Sequence, residues 1–251
     1  MRDGAFYLTK KPGGGEMSGM EQASKMEYIK NNFQEKAQEY DALTQSIIPY
    51  YSEMLNALTM EIPYGNSEEI EVMDLGCGTG MVALRVKQLF PNSKITCVDI
   101  SPNMLEVAKN RLSQYEGITY RIVDFYDMDF DRKYQVIVSS LALHHLINDE
   151  DKKTFYFKIF NSLNEGGVFY NADVVLGSND FIQNSYIQKW VEFMKKTNTM
   201  EEIMNIRLPR YYEEDTPTSL IKHLHMLGDI GYKDIDVIWK YYNFSVYGGK
   251  K

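Results

Sequence analysis

The sequence predicts an α/β fold in which one mostly parallel sheet of seven strands has helices on both faces. Between residues 70 and 175, short apolar runs alternate with helical patterns, which is typical of βαβ units in a buried parallel sheet. Two further apolar runs on either side of Asn243 predict an antiparallel hairpin at the sheet edge. The segments 21–60 and 176–215 have helical patterns, and we expect them to form a helical cap and lid.

The chain begins with a segment that has no pattern of regular structure. We expect the first 20 residues to form a disordered leader, because they contain the glycine-rich stretch KPGGGEMSG and no continuous apolar segment of a signal peptide. Residues 21–251 are then expected to form a single domain. Its first helices should be interrupted at Pro49, since proline breaks or kinks a helix.

The strands and helices follow from the order of the apolar runs. Strands are expected at 70–75, 94–100, 118–124, 134–141, 167–175 and twice within 235–251. Helices are expected at 81–90, 101–114, 149–163 and 219–232, with further helical structure over 178–213. Ser101 can cap the second of these helices, and Pro102 suits its first turn. The sequence NEGG after residue 163 is expected to end the third helix before the next strand begins.

Charge and cysteine content narrow the classes of function. A formal net charge of −8 argues against direct binding of nucleic acid, for which a protein usually presents a basic face. The sequence contains no apolar run of about 18 residues, so we expect no membrane span. Cys77 and Cys97 lack metal-type spacing and lie in apolar segments, so we expect buried thiols in a reducing, cytoplasmic setting.

The stretch VMDLGCGTG, residues 72–80, is the strongest local signal for a ligand site. Its three glycines lie where a strand should pass into a helix. Glycines allow a tight turn there, and they let a ligand approach the main chain near the positive end of the helix. The dinucleotide pattern GxGxxG fails because Met81 occupies the third glycine position, which disfavours an NAD-dependent oxidoreductase.

Acidic residues mark the ends of three consecutive predicted strands, at Asp74, Asp99 and Asp124. In a parallel sheet, ligands bind beyond the carboxyl ends of the strands, where the strand order reverses. Asp99 is 19 residues after Gly80 and can accept both hydroxyls of a ribose. Asp124 could accept a hydrogen bond from an adenine amino group, with the N–H of Phe125 beside it. The sequence therefore predicts a nucleoside site.

This arrangement resembles the class I S-adenosylmethionine-dependent methyltransferases over about residues 35–251. The stretches that carry the resemblance are VMDLGCGTG, VDISPNML, RIVDFYDM, VIVSSLALHHL and LNEGGVFYNAD. The resemblance implies a Rossmann-like sheet, S-adenosylmethionine as cofactor, S-adenosylhomocysteine as product and no metal. It implies that twelve residues bind the cofactor: Tyr40, Asp74, Gly76, Cys77, Gly78, Asp99, Ile100, Met104, Asp124, Phe125, Ser140 and Leu141.

The acceptor side of the site is less clearly marked. Methyl transfer from a sulfonium is a direct displacement, and only a hydroxyl or carbon acceptor needs a strong base. His144 and His145 follow the fourth predicted strand, where this family places its acceptor, and are the candidate catalytic residues. The lid carries Arg207, Arg210 and Tyr211, which could hold a carboxylate or phosphate of the acceptor.

Further residues complete the picture of the acceptor side. Tyr50 and Tyr51 on the cap are expected to form the opposite wall of the acceptor site. His223 and His225 flank one residue of a predicted helix and therefore make a poor metal pair.

Three functions remain open from the sequence. The first is methyl transfer to a small-molecule acceptor, without nucleic-acid or membrane partners and with a homodimer as a plausible assembly. The second is a cofactor-modifying activity, because the N-terminal helices, the lid and the ending YYNFSVYGGK also resemble carboxy-S-adenosylmethionine synthase. The third is a non-catalytic protein that binds S-adenosylmethionine.

Overall fold

The computed structural model describes residues 24–28, 30–31 and 39–251. The predicted leader, residues 1–20, lies outside these ranges. A single sheet runs through the structure in the strand order β3-β2-β1-β4-β5-β7-β6. The strands are β1 (Glu71–Leu75), β2 (Lys94–Asp99), β3 (Ile118–Ile122), β4 (Tyr134–Ser140), β5 (Leu163–Val174), β6 (Lys233–Tyr241) and β7 (Phe244–Lys250). The prediction of a seven-stranded α/β sheet is confirmed.

Helices connect the strands and cover the sheet. Residues 24–28 and 30–31 are helical. The labelled helices are α1 (Tyr40–Ile47), α2 (Tyr51–Met60), α3 (Met81–Leu89), α4 (Pro102–Arg111), α5 (Asp149–Ser162), α6 (Asp180–Met194), α7 (Met200–Glu202), α8 (Leu208–Glu214) and α9 (Leu220–Ile230). A π-helical turn, Ile203–Arg207, joins α7 to α8, and a 3₁₀ turn, Leu143–His145, follows β4. None of the helices in the described ranges is long and apolar enough to cross a lipid bilayer.

The strand pairing indicates which edge of the sheet forms the ligand crevice. Strands β1 to β5 pair in parallel, whereas β7 pairs antiparallel with β5 and with β6. The chain passes outward from β1 to β2 and β3, then returns to place β4 on the other side of β1. The strand order therefore reverses between β1 and β4, and the carboxyl ends of these two strands form the crevice in which α/β proteins bind ligands.

The core lies in two layers, one on each face of the sheet. Along β1, Val72 packs in one layer and Met73 in the other, because successive side chains of a strand point to opposite faces. The first layer includes Leu55 of α2 and Trp190 of α6, and the second includes Phe155 of α5. The cap and lid helices therefore share a core with the sheet.

Local signals in the sequence were mostly confirmed. Ser101 caps α4 by accepting a hydrogen bond from the N–H of Met104, and α1 ends before Pro49. The hairpin turns at residues 242–243, as predicted. One boundary was wrong: NEGG does not separate α5 from the next strand. Strand β5 begins at Leu163 and includes these residues, with a register shift against β4 and Gly166 at φ +79°, a conformation that glycine adopts without steric cost.

Candidate active site

The glycine-rich turn between β1 and α3 forms the floor of the crevice. Gly76, Gly78 and Gly80 all have positive φ angles, of +66°, +52° and +82°. A Cβ atom on Gly76 would lie 2.3 Å from the Cβ of Ala142, whereas a Cβ on Gly78 would meet no atom within 4 Å. Gly76 is therefore required by close packing against the loop after β4, and Gly78 leaves open space for a ligand.

Asp99, the last residue of β2, has its carboxylate in this crevice. Its Oδ2 accepts a hydrogen bond of 2.8 Å from the N–H of Gly78, and its Oδ1 accepts one of 2.8 Å from the N–H of Ser101. Burial raises the pKa of Asp99 to about 6, against the lowering effect of these backbone hydrogen bonds. Each carboxylate oxygen keeps a lone pair for a further donor such as a ribose hydroxyl.

These elements enclose a pocket of about 520 Å³, including its opening to solvent. We call it the nucleoside pocket. Its wall is formed by Met26, Tyr40, Gly76, Gly78, Asp99, Ile100, Met104, Val123, Phe125, Leu141, Ala142 and His145. The walls combine apolar side chains with one buried carboxylate, a composition suited to a base and a sugar.

A second cavity of about 800 Å³, also including its mouth, adjoins the first. We call it the acceptor cavity. It lies between α1, the lid and the loop after β4, and its polar side chains include both histidines, two arginines and two carboxylates. The wall comprises Tyr40, Leu43, Thr44, Ile47, Ile48, Leu141, His144, His145, Val174, Trp190, Arg207, Arg210, Tyr211, Glu214, Asp215 and Phe244. Three residues, Tyr40, Leu141 and His145, line both cavities.

The loop after β4 is held in an unusual backbone conformation. Leu141 has φ +53°, a region that residues other than glycine rarely adopt and that often marks functional sites. Its N–H donates a 2.8 Å hydrogen bond to the carbonyl of Ala172 on β5. This turn directs the following residues, His144 and His145, into the acceptor cavity.

His144 lies between two carboxylates. Its Nδ1 is 2.5 Å from Oδ1 of Asp173, and its Nε2 is 3.4 Å from Oδ1 of Asp215. Burial lowers the pKa of His144, but the charges of Asp173 and Asp215 outweigh burial and raise it to about 10. The pKa of His145 is lowered to about 3, first by burial and then by the nearby His144, whose ring centroid is 4.1 Å away.

The segment after α8 is fixed against the 3₁₀ turn Leu143–His145, which we call the histidine turn. The N–H and hydroxyl of Thr216 both donate to the carbonyl of His144, at 3.1 and 2.7 Å. Buried Lys152 donates from Nζ to the carbonyls of Leu146 and Thr216, at 2.5 and 2.8 Å. These bonds position Asp215, the residue before Thr216, beside the two imidazoles.

The two lid arginines reach the acceptor cavity with different partners. Arg210 pairs with Glu214 at 2.7 Å one helical turn away on α8. Arg207, at the end of the π-helical turn, donates from Nε to Oδ1 of Asn198 at 3.3 Å. Tyr211 lies next to them and its ring meets that of Trp190 edge to face, with centroids 5.1 Å apart. The predicted substrate residues of the lid thus come together in one wall.

Eight of the twelve predicted cofactor residues line the nucleoside pocket, and four do not. Asp74 is buried and its Oδ2 accepts a hydrogen bond from the N–H of Ala83 in α3, while burial raises its pKa to about 7. Asp124 accepts a hydrogen bond from the N–H of Tyr126 in its own turn. Cys77 is buried, and its N–H bonds to the carbonyl of Val98.

Two further predicted site residues, Ser140 of the cofactor set and Tyr51 of the acceptor set, do not line the cavities in which they were expected. Ser140 is the last residue of β4, directly before the turn at Leu141, and its side chain does not line either cavity. Tyr51 packs against the core layer of α2 and does not line the acceptor cavity. Tyr50 is half exposed and its ring meets that of Tyr241. The opposite wall of the acceptor cavity is instead formed by α1, through Leu43 and Ile47.

Two further residues at the site, Asp173 and Asp215, are only weakly marked in the sequence. Asp173 lies two residues before the end of the strand predicted at 167–175, and this position near the ligand edge of the sheet is a signal for a site residue. Asp215 belongs to EED at 213–215, which reads as a surface charge cluster. The structure corrects this interpretation, because it buries Glu214 and places Asp215 in the cavity wall.

Comparisons with known proteins agree with this geometry. Residues 72–167 match the family described as a methyltransferase domain. The carboxy-S-adenosyl-L-methionine synthase of Helicobacter pylori strain P12 is 26% identical over 232 residues, which cover 87% of this chain and 93% of that protein. The solved DhpI-SAM-HEP complex has a TM-score of 0.62 at 17% identity and covers 94% of this chain and 99% of that chain.

A human protein has a similar fold. The crystal structure of human N-acetylserotonin methyltransferase in complex with SAM has a TM-score of 0.58 at 18% identity, covering 87% of this chain and 56% of that chain. At this level of identity, the two structural matches report on the fold.

S-adenosylmethionine is the cofactor of this family, and the nucleoside pocket fits it on two observations. Asp99 presents a buried carboxylate to the pocket, as binding of ribose hydroxyls requires. Gly78 leaves its Cβ side open, so a ligand can lie against the main chain. Residues 72–167 match the methyltransferase-domain family, and the shared fold and this pocket support a class I S-adenosylmethionine-dependent methyltransferase.

Proposed function

We propose that the protein transfers a methyl group to a small-molecule acceptor held in the acceptor cavity. The observation that carries the proposal is that this cavity and the nucleoside pocket share Tyr40, Leu141 and His145. This cavity combines apolar walls with a few convergent charged side chains, which is the usual composition of a small-ligand site. An acceptor bound there would lie beside the cofactor, which favours direct transfer.

Bound S-adenosylmethionine supplies an activated methyl group, so the protein's contribution is alignment and exclusion of water. Tyr40 and Leu141 separate and orient the contents of the two cavities. Trp190, Phe244 and Val174 provide an apolar wall for the body of the acceptor. We assign to Arg207 and Arg210 the binding of a carboxylate or phosphate on the acceptor, since arginine suits such groups.

His145 is the histidine that we place next to the acceptor's nucleophilic atom. It lines both cavities, whereas His144 lines only the acceptor cavity. His144 is held through Nδ1 by Asp173 and fixes the position of the turn. A substitution of His145 by glutamine should therefore lower kcat more than it weakens binding of S-adenosylmethionine.

The test is mass spectrometry of nucleosides after incubation of the protein with S-adenosylmethionine and a set of small carboxylate, phosphate and phenolic acceptors. The expected result is S-adenosylhomocysteine and a methylated acceptor in equal amounts. Cofactor binding without turnover of any acceptor would support a non-catalytic binding protein instead.

A second candidate is an activity like that of carboxy-S-adenosyl-L-methionine synthase. The observation that favours it is that the Helicobacter pylori relative matches over 93% of its length, so the similarity extends well beyond residues 72–167. In this case Arg207 or Arg210 would face the extra carboxylate of a modified cofactor. Denaturation of freshly purified protein would then release a carboxylated S-adenosylmethionine, and its absence would argue against this candidate.

Binding of S-adenosylmethionine should weaken as the pH falls through about 6. The pKa of Asp99 is raised to about 6 by burial, and ribose hydroxyls bind the ionised carboxylate better than the protonated form. A ligand that prefers the ionised form loses up to about tenfold in affinity per pH unit below that pKa. Calorimetric titrations between about pH 5 and pH 8 measure the effect.

Asp99→Asn is the matched control for this pH dependence. Its affinity should be lower at neutral pH and almost independent of pH, since the titrating group is gone. Asp74, whose pKa is raised to about 7, remains in both proteins. If the Asn variant keeps the same pH dependence, then Asp74 or another group is responsible and the assignment to Asp99 is wrong.

Asp41 anchors the helix that carries Tyr40 to the glycine-rich turn. It accepts a hydrogen bond of 2.6 Å from the hydroxyl of Thr79 and pairs with Arg111, which also donates to the carbonyl of Thr79 at 2.5 Å. Asp41→Ala should raise the Kd for S-adenosylmethionine by about 3- to 10-fold, because loss of about 1 kcal/mol is expected. Exposed Glu53 offers the control Glu53→Ala, and equal Kd values for both variants would contradict the role.

A further inference from the structure

Three potential metal ligands converge on the wall of the acceptor cavity. His144, His145 and Asp215 each offer one nitrogen or oxygen atom, and these three atoms all lie within 4.8 Å of one another. Nε2 of His144 is 3.4 Å and Nδ1 of His145 is 3.9 Å from Oδ1 of Asp215. Because all three side chains line the cavity, a ligand bound to them would face its contents.

The orientation of His144 is the second observation that points to a metal. Nδ1 of His144 lies 2.5 Å from Oδ1 of buried Asp173. This contact places the donated proton on Nδ1 and directs Nε2 toward Asp215. Histidines that bind metals nearly always donate their other ring N–H to a carboxylate or carbonyl in this way.

Asp173 is itself held firmly. It accepts a 2.9 Å hydrogen bond from the N–H of Val174 and a 3.2 Å bond from Nδ2 of Asn171. On the opposite side, Thr216 and Lys152 fasten the segment that carries Asp215 to the histidine turn. Both the carboxylate and the imidazole are thus positioned in the folded chain before any ion arrives, which lowers the cost of binding.

We propose that His144 Nε2, His145 Nδ1 and an oxygen of Asp215 bind a divalent first-row transition metal ion of the Zn²⁺ type. Binding displaces the proton that Nε2 of His144 directs toward Asp215, since an imidazole binds a metal in its neutral form. Two imidazole nitrogens favour such an ion over Mg²⁺ or Ca²⁺, which prefer oxygen ligands. Three protein ligands leave at least one coordination position open. That position faces the acceptor cavity and suits an oxygen atom of an acceptor. The site does not depend on which acceptor or which of the two activities is correct.

The test is calorimetric titration of the full chain with Zn²⁺, without cofactor or acceptor. We expect one ion per chain and a Kd that is at least about 10-fold weaker in Asp215→Asn. Asp173→Asn, which removes only the partner of His144, should weaken binding by about 10- to 100-fold. His225 is exposed on α9, and His225→Gln is the matched control, with no expected change in Kd.

Titration with Co²⁺ gives a readout that does not depend on the variants. Co²⁺ that is bound by two imidazole nitrogens at low coordination number should show visible absorption bands. Added Zn²⁺ should remove these bands by competing for the site. Less than one bound Zn²⁺ per chain, or the same Kd in Asp215→Asn and in the wild type, would overturn the proposal. Retained binding of S-adenosylmethionine in the same preparation would show that such a failure concerns the metal site and leaves the proposed function standing.

Discussion

Replacement of Asp99 by alanine is expected to weaken binding of S-adenosylmethionine by at least about 100-fold. The carboxylate is the acidic group in the wall of the nucleoside pocket, and two hydroxyls of a ribose would each donate to it. A hydrogen bond to a charged group contributes about 1.5–3 kcal/mol, so loss of two corresponds to about two orders of magnitude or more. Calorimetric titration with S-adenosylmethionine gives the two dissociation constants.

The alanine variant also leaves two backbone donors without their present acceptor, because Asp99 accepts from the N–H groups of Gly78 and Ser101. Asp99→Asn separates the two effects. The amide keeps one acceptor oxygen for the turn but carries no charge, so the fold should be retained while the affinity still falls. Glu106→Ala, an exposed acidic residue on α4, is the control for general loss of negative charge. A wild-type affinity in Asp99→Asn would contradict the role of the carboxylate.

The fold was predictable because its signals are local. The alternation of apolar runs and helical patterns located β1 to β4 to within about two residues, and Ser101 and Pro102 marked the start of α4. The one boundary error, at NEGG, arose because glycine has two opposite uses. It ends helices, but it also allows a bulge within a strand. Here Gly166 and Gly167 form backbone hydrogen bonds with Lys251, and this pairing favours the strand.

The cofactor side of the site was predictable for a related reason. Parallel strands end at the same edge of the sheet, so residues at strand ends converge whatever the details of packing. Asp99 was located in this way, whereas Ile100 and Met104 were implied by the resemblance, and all three line the nucleoside pocket. The same rule does not decide which way a side chain turns. Asp74 turns to the N-terminus of α3, and Asp124 turns to its own loop.

The acceptor side depends on contacts between distant parts of the chain. Asp215 meets His144 across about 70 residues of sequence, and nothing in EED distinguishes Asp215, which lines the cavity, from exposed Glu213. Lys152 is a similar case, because a lysine within DEDKK reads as a solvated residue, yet it is buried against two carbonyls. Such residues are identified only by the way the lid packs on the histidine turn. That packing leaves no periodic pattern in the sequence.

The second large effect is expected at Gly76. Its backbone is in the left-handed region, at φ +66°, and a Cβ would lie 2.3 Å from the Cβ of Ala142. The unfavourable backbone conformation costs about 1–2 kcal/mol, and overpacking against Ala142 costs about 1–3 kcal/mol more. Gly76→Ala should therefore lower the free energy of unfolding by about 2–5 kcal/mol, which is measured by denaturant titration of the cofactor-free protein.

Gly78→Ala is the matched control, because it isolates the steric part of this effect. Gly78 has φ +52° and no atom within 4 Å of its Cβ position, so the variant has the backbone cost alone, about 1–2 kcal/mol. Its new methyl group would instead occupy the open space in the nucleoside pocket and weaken S-adenosylmethionine binding. Gly76→Ala should thus mainly lower the stability of the fold, whereas Gly78→Ala should mainly lower the affinity for S-adenosylmethionine. Equal losses of stability would show that the loop at Ala142 moves aside, and that close packing does not fix the floor of the pocket.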